Sequence, residues 1–170
     1  MEMGFAIRRM APEYASGRGY VHYAAWGETY CGLMDERFLA GHTLEKCTDY
    51  AKRNPYSGYV ALVQGEVVGF ASCLQNARAF VSVPGAAEIV ALYVLRAYQG
   101  LGIGRALMER CLEELAGRDV VLFVLKGNDN AIGFYRKMGF AFTGKELAEE
   151  LDGAKIVELE MARNASARGA

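Results

Sequence analysis

Glu88-Ile-Val-Ala-Leu-Tyr-Val94, followed by Gln99-Gly-Leu-Gly-Ile-Gly104, is the stretch that decides how this chain is read. A β-rich apolar run enters a glycine turn, and the turn enters an amphipathic segment over 103–116. Such a turn leaves a row of backbone N–H groups at a helix N-terminus, where the macrodipole adds partial positive charge. Its glycines allow close approach of a ligand and the dihedrals of an amide nest. The matching ligand is a phosphate or pyrophosphate, while a tight turn for helix–strand packing is the other use of the same glycines. Spacing excludes two nucleotide loops. A dinucleotide fingerprint needs a third glycine three residues after the second, where Arg105 stands, and an NTPase loop needs Gly-Lys-Ser/Thr, but no lysine follows Gly104.

Working outward, alternation over 5–10 predicts a first strand, and Pro12 opens a helix to about Cys31, bent or broken at Gly17, Gly19 or Gly27. A second helix over 43–53 stops before Pro55. Residues 58–63 and 67–73 flank Gln64-Gly-Glu66 as a hairpin. The continuous apolar run 120–125 suits a strand buried on both faces, 130–138 a helix, and 140–143 with 155–161 two closing strands. In the run before the turn, alternation puts Glu88, Val90, Leu92 and Val94 on one face and Ile89, Ala91 and Tyr93 on the other, unless a bulge intervenes. Ile103, Leu107, Cys111, Leu112 and Leu115 share one helical face, which makes Cys111 a core residue. The order of elements is that of an α/β sandwich with a mixed sheet, one domain over 1–162 and a flexible tail over 163–170.

Composition narrows the function classes. The 170 residues, 52% hydrophobic, suffice for a full core. A net charge of −1 offers no electrostatic footprint for nucleic acid or an anionic membrane. The sequence holds no run of 18 apolar residues, and Met1-Glu-Met-Gly-Phe5 lacks the character of a secretory signal. Cys31, Cys47, Cys73 and Cys111 show no Cys-x-x-Cys spacing, and His22 and His42 do not cluster with them. Reduced thiols, no metal and a cytoplasmic location are expected.

A second segment, Asn128-Asp-Asn-Ala-Ile-Gly-Phe-Tyr-Arg-Lys-Met-Gly-Phe140, joins the first. Gln99-x-x-Gly102-x-Gly104, with Asn128, Ala131, Tyr135, Gly139 and Phe140, resembles the two signature motifs of the GNAT family of N-acetyltransferases, in the right order. The strong resemblance covers residues 86–143. It implies a three-layer α/β/α fold with a mixed, mostly antiparallel central sheet, and acetyl-CoA as acyl-donor cosubstrate without a metal. It implies that amides of Leu101, Gly102, Ile103, Gly104 and Arg105 face the CoA diphosphate, with Gln99 and Gly100 in the turn. It further implies a splayed strand whose main chain at Leu92, Tyr93 and Val94 bonds pantetheine, and an Asn128 that contacts that arm or caps its helix.

Two residues are implied in chemistry. Tyr135 matches the tyrosine that protonates the departing thiolate, a task suited to a phenol that need not ionise beforehand; the other use of Tyr135 is packing beside Phe134 and Phe140. Ala87-Glu88-Ile89-Val90 resembles the histone acetyltransferase branch, whose glutamate is general base. An ammonium must lose a proton before attacking a thioester, and a carboxylate can take it; a solvated or salt-bridged Glu88 is the alternative. For the acceptor, Trp26 and Tyr30 share a helix face with His22 one turn earlier, and Tyr93 stands at the strand end. This is an aromatic wall for an amine or a set of core aromatics that includes Tyr20 and Tyr23. Acidic residues over 145–152, with Glu158, favour a cation or form a solvated face. The sequence therefore implies acetyl transfer to a small-molecule primary amine by direct attack in a ternary complex, with homodimers common among relatives. A protein or peptide acceptor and a non-catalytic CoA-binding module are the competing functions.

Overall fold

The computed structural model describes residues 4–55 and 57–166. Its strands are β1 (Ala6–Arg9), β2 (Tyr59–Val63), β3 (Glu66–Leu74), β4 (Ala87–Val94), β5 (Val120–Leu125), β6 (Ala141–Leu151) and β7 (Ala154–Arg163). Its helices are α1 (Ala15–Tyr30), α2 (Glu36–Ala40), α3 (Leu44–Arg53), α4 (Ile103–Glu114) and α5 (Asp129–Lys137). The strands form one sheet in the order β1-β2-β3-β4-β5-β7-β6, antiparallel throughout except between β4 and β5. Helices cover both faces, as the three-layer expectation requires. On one, Ile103, Leu107, Met108 and Cys111 of α4 and Ile132 of α5 pack on Ile89, Leu122 and Val124. On the other, Val21 and Ala25 of α1 pack on Val60 and Phe70, and α3 lies against α1.

Local chemistry explains the elements. Val120 to Leu125 alternates no polar residue into either face, so β5 takes a place inside the sheet. Thr43 caps α3 by accepting from the Lys46 amide. Helix α1 runs without a break through Gly17, Gly19 and Gly27. At Gly19 a Cβ would lie 2.6 Å from the Thr48 backbone, so this glycine permits close approach of α3 and is not a break. The closing strands are longer than 140–143 and 155–161, because β6 is an exposed strand whose charged residues hide it from an apolar pattern. Arg163 pairs with Val120, and the Ala165 amide donates to Asp119 at 2.8 Å. The sheet therefore continues past the expected boundary at 162, while 167–170 lie outside the described residues.

Two irregularities position the site. The β3–β4 register shifts between Ser72 and Cys73, which face Ala91 and Ile89, so Val90 is an extra residue on β4. Strict alternation therefore fails: Ile89 joins Leu92 and Val94 on the α4 side, and Ala91 and Tyr93 turn to α1. The β4–β5 ladder ends at Ile89 and Leu122, after which β5 stays with β7 and β4 with β3. The two parallel strands part toward their C-terminal ends, as the resemblance implied.

Candidate active site

A cavity of about 880 Å³ occupies that gap, walled by β4 from Ile89 to Val94 and by β5 from Leu122 to Leu125. Gly100, Gly102, Gly104 and Arg105 close one end. Gly100 and Gly102 take φ of +77° and +83°, which glycine adopts without strain. Gly102 caps α4, and the first helical amide bond is Ala106 N–H to Gly102 O at 3.0 Å. Among the described residues, the amides of 100–105 have no acceptor, which leaves six free N–H groups in the turn and first helical residues of α4. The Gln99 side-chain Nε2 donates to Val94 O at 3.0 Å, tying the turn to the end of β4. The turn and the strand end predicted to hold cofactor are thus one continuous wall.

Asn128 and Tyr135 line the same cavity. Asn128 Oδ1 caps α5 on Ala131 N–H at 3.4 Å. Tyr135 packs edge-on to Phe134 and Phe140, with ring centres 5.5 and 6.2 Å away. Burial pushes its phenol well above the ordinary range, so it stays protonated.

Glu88 is not on the cavity wall. It is fully buried and accepts from Arg78 Nε at 3.0 Å, Arg78 Nη2 at 2.5 Å and the Arg78 amide at 3.0 Å. Its carboxylate is thus held in an ion pair by the loop between β3 and β4, the arrangement that the sequence left open beside a general base. Glu160 is committed to the same loop, accepting from Ser82 N–H at 2.9 Å, the Ser82 hydroxyl and Thr143 at 2.7 Å.

The aromatic residues of α1 and the end of β4 come together beside the cavity. Trp26 meets Tyr30 with ring centres 4.7 Å apart, and the Tyr30 and Tyr93 hydroxyls lie 3.4 Å apart. Trp26, Tyr30 and Tyr93 all border the main cavity. Tyr20 and Tyr23 are 52% and 43% exposed and belong to neither wall nor core. Behind Tyr93 opens an inner chamber of about 180 Å³, bordered by His22, Tyr50, Phe70, Ser72 and Arg78. Val90, Ala91, Tyr93, Trp26, Phe123 and Glu158 border both spaces. Burial, then the neighbouring Arg18 and His42, pushes His22 down to about 4, so it is neutral at pH 7. Burial raises Glu158, against the Arg78 charge.

The histidines do meet a cysteine, against the expectation. His42 Nε2 lies 3.2 Å from Cys47 Sγ and 3.3 Å from His22 O, and donor atoms of His22, His42 and Cys47 fall within 4.8 Å of one another. Helix α1 and the α2–α3 turn bring them together across a sequence gap that no local spacing shows. Among the described residues these are the three side chains spaced to hold a metal ion. Arg78, Ser72 and Phe123 were also missed, since the chamber draws them from separate elements.

Comparison with known proteins points one way. The acetyltransferase (GNAT) family model matches residues 11–140. A probable N-acetyltransferase of Mycobacterium tuberculosis is 28% identical over 131 residues, 74% of this chain and 73% of that protein. The N-alpha-acetyltransferase RimI of the same organism is 37% identical over 92 residues, 54% of this chain and 56% of the relative. Among solved structures, the PaiA N-acetyltransferase of Thermoplasma acidophilum in complex with coenzyme A superposes with a TM-score of 0.66 at 21% identity, covering 95% of this chain and 99% of that one. No helix among the described residues is long and apolar enough to cross a membrane.

Proposed function

Since this chain belongs to the GNAT family of acetyltransferases, whose members use acetyl-CoA, we propose that it acetylates the primary amine of a small molecule by direct attack within a ternary complex. The observation that carries this reading is the β4–β5 gap, with a row of free amides at one end and a protonated phenol on its wall. In it, amides of 101–105 bind the CoA diphosphate, and the main chain of Leu92, Tyr93 and Val94, on the edge that β5 leaves, aligns pantetheine and polarises the thioester carbonyl. Tyr135 hands its proton to the leaving sulfur. Glu88 holds Arg78 and takes no part in proton transfer. Cys111 is fully buried on α4, which disfavours an acetyl-cysteine route. One domain reaching Arg163 carries the activity.

A peptide acceptor is the second reading, favoured by the likeness to a protein named as an N-alpha-acetyltransferase. Thiol release from acetyl-CoA, measured against separate pools of monoamines, polyamines, amino acids, aminoglycosides and N-terminal peptides, separates the two. Acceleration by a small-amine pool, lost in Tyr135→Phe, is the expected result. Acceleration by peptides alone would replace the acceptor class.

A further inference from the structure

Three glutamates point from the sheet toward its α1 side, Glu88 and Glu160 buried and Glu158 half-buried, and the two buried ones are committed. Glu88 is saturated by Arg78, and Glu160 by Ser82 and Thr143. Glu158 alternates with Leu159 and Met161, which enter the α4-side core, so its carboxylate faces the other way. Among the described residues that carboxylate makes no hydrogen bond and no ion pair, although it is largely desolvated. It borders both the main cavity and the inner chamber, at their junction. The chamber is bordered by two further unmatched groups among the described residues: Ser72 Oγ and Trp26 Nε1 are buried with no partner. A buried polar atom without a partner costs roughly 1–3 kcal/mol, so it marks a position where a ligand atom completes the bond.

We propose that Glu158 holds the acceptor's ammonium and takes its proton, and that the inner chamber takes the rest of the acceptor: a compact monocation with one ring and a hydroxyl. The proposal rests on the acetyltransferase reading above. Size sets the ring, since a cavity of roughly 150 Å³ accommodates benzene and this one is about 180 Å³. His22 stacks on Tyr93 at 5.4 Å, and Tyr50 and Phe70 complete an aromatic lining. Charge sets the single cation. Glu158 faces Arg78 from the loop, Glu88 and Tyr93 from β4, Glu149 from β6, and Tyr30 and His22 from α1. Arg78 and Glu88 cancel, and the tyrosines and His22 are neutral, which leaves one negative charge at the chamber mouth with Glu149 farther out in the main cavity.

The proton balance is complete. R–NH3⁺ gives one proton to Glu158, which passes it to solvent. The freed lone pair forms the C–N bond, and the C–S bond breaks with its electron pair on sulfur. Tyr135 protonates that thiolate and is itself restored by the second proton leaving nitrogen as the amide forms. Products are the acetamide, CoA thiol and one proton in solution.

The test uses the full chain with CoA bound and takes tyramine, phenethylamine and spermidine as probes, by calorimetric binding and by acetyl transfer against pH. The expected result is that tyramine binds best, that Ser72→Ala removes its advantage over phenethylamine, and that Glu158→Gln lowers kcat/KM about a hundredfold. The acid limb of kcat/KM, where wild type loses activity as Glu158 protonates, is expected to vanish in Glu158→Gln. Failure of both monoamines to bind the wild-type CoA complex overturns the chamber assignment. Binding and an acid limb unchanged in Glu158→Gln overturn the role of Glu158. If tyramine binds through Glu158 but receives no acetyl group, the ammonium site stands and the acetyl-transfer reading fails.

Discussion

Replacing Glu88 with glutamine separates a structural carboxylate from a catalytic one. The substitution keeps the side chain's shape and one acceptor oxygen, but it puts an amide N–H₂ against the Arg78 guanidinium. Four contacts from three donor groups of Arg78 end on this carboxylate, all between 2.5 and 3.1 Å. Breaking a fully buried ion pair by removing one partner costs about 3–5 kcal/mol. Here Glu88 is wholly buried, but the Arg78 side chain is 43% exposed and can turn to water, so no guanidinium is stranded. Bonds to charged groups contribute roughly 1.5–3 kcal/mol each, and one is partly kept, which puts the net loss at about 2–3 kcal/mol. For a chain of this length that is a Tm lower by roughly 5–10 °C. Urea unfolding reads the loss, and Arg78→Gln with the double variant gives a coupling energy of about 2 kcal/mol. Below the melting range, kcat stays within about threefold of wild type, because Glu88 touches no reacting atom. A general base removed from the same position lowers the rate by about 10²–10⁴ with the fold intact. That second pattern, an unchanged urea midpoint with a collapsed kcat, would refute the reasoning.

Three further outcomes follow from named groups. Tyr135→Phe lowers kcat by about a hundredfold and leaves CoA affinity near wild type, read by steady-state thiol release beside calorimetry. Gly102→Ala forces an L residue to a φ of +83° at the N-terminus of α4, a strain of roughly 1–2 kcal/mol, and weakens CoA binding while a saturating donor restores kcat. His22 gives a pH signature in stability. Its folded-state pKa, about 4, lies below the unfolded value of about 6.5, so between those limits the unfolded chain binds the extra proton. Stability present above pH 6.5 is then lost as pH falls toward 4, by about 3 kcal/mol in all. Urea midpoints of wild type minus His22→Gln show a difference that shrinks over that window, and a constant difference would show that His22 is not held neutral.

Periodicity made the scaffold legible where one face is buried and left it obscure where neither is. The β5 run and the α4 stripe carry their burial in their spacing, so both were readable to within two residues. Strand β6 lies at the edge of the sheet with almost every side chain in water, and nothing apolar repeats along it. Helix α2 spans five residues, too short for a helical period. The glycine turn and Tyr135 were found because their chemistry is local in sequence. The ion pair of Glu88 was not legible for the opposite reason: its partner stands ten positions away in a loop without pattern. One signal was available and unused. Lys155-Ile-Val-Glu-Leu-Glu-Met161 places two carboxylates at every second position of an apolar strand, and a strand inside a sheet buries such residues only against partners or a ligand.

The single residue Val90 links these features. An extra residue on one strand bends it and increases its twist, and the β4–β5 ladder ends at the neighbouring Ile89. Without the extra residue, Tyr93 would share the face of Ile89 and enter the α4-side core. With it, Tyr93 swings to α1, where it reaches the Tyr30 hydroxyl and stacks on His22. The same step carries Leu92 and Val94 into the core that supports α4 and hence the free amides at its start. Val90 itself borders both the main cavity and the inner chamber. The β4–β5 gap and the aromatic wall are therefore one deformation of β4, which is why the proposed donor and acceptor sites meet at Tyr93.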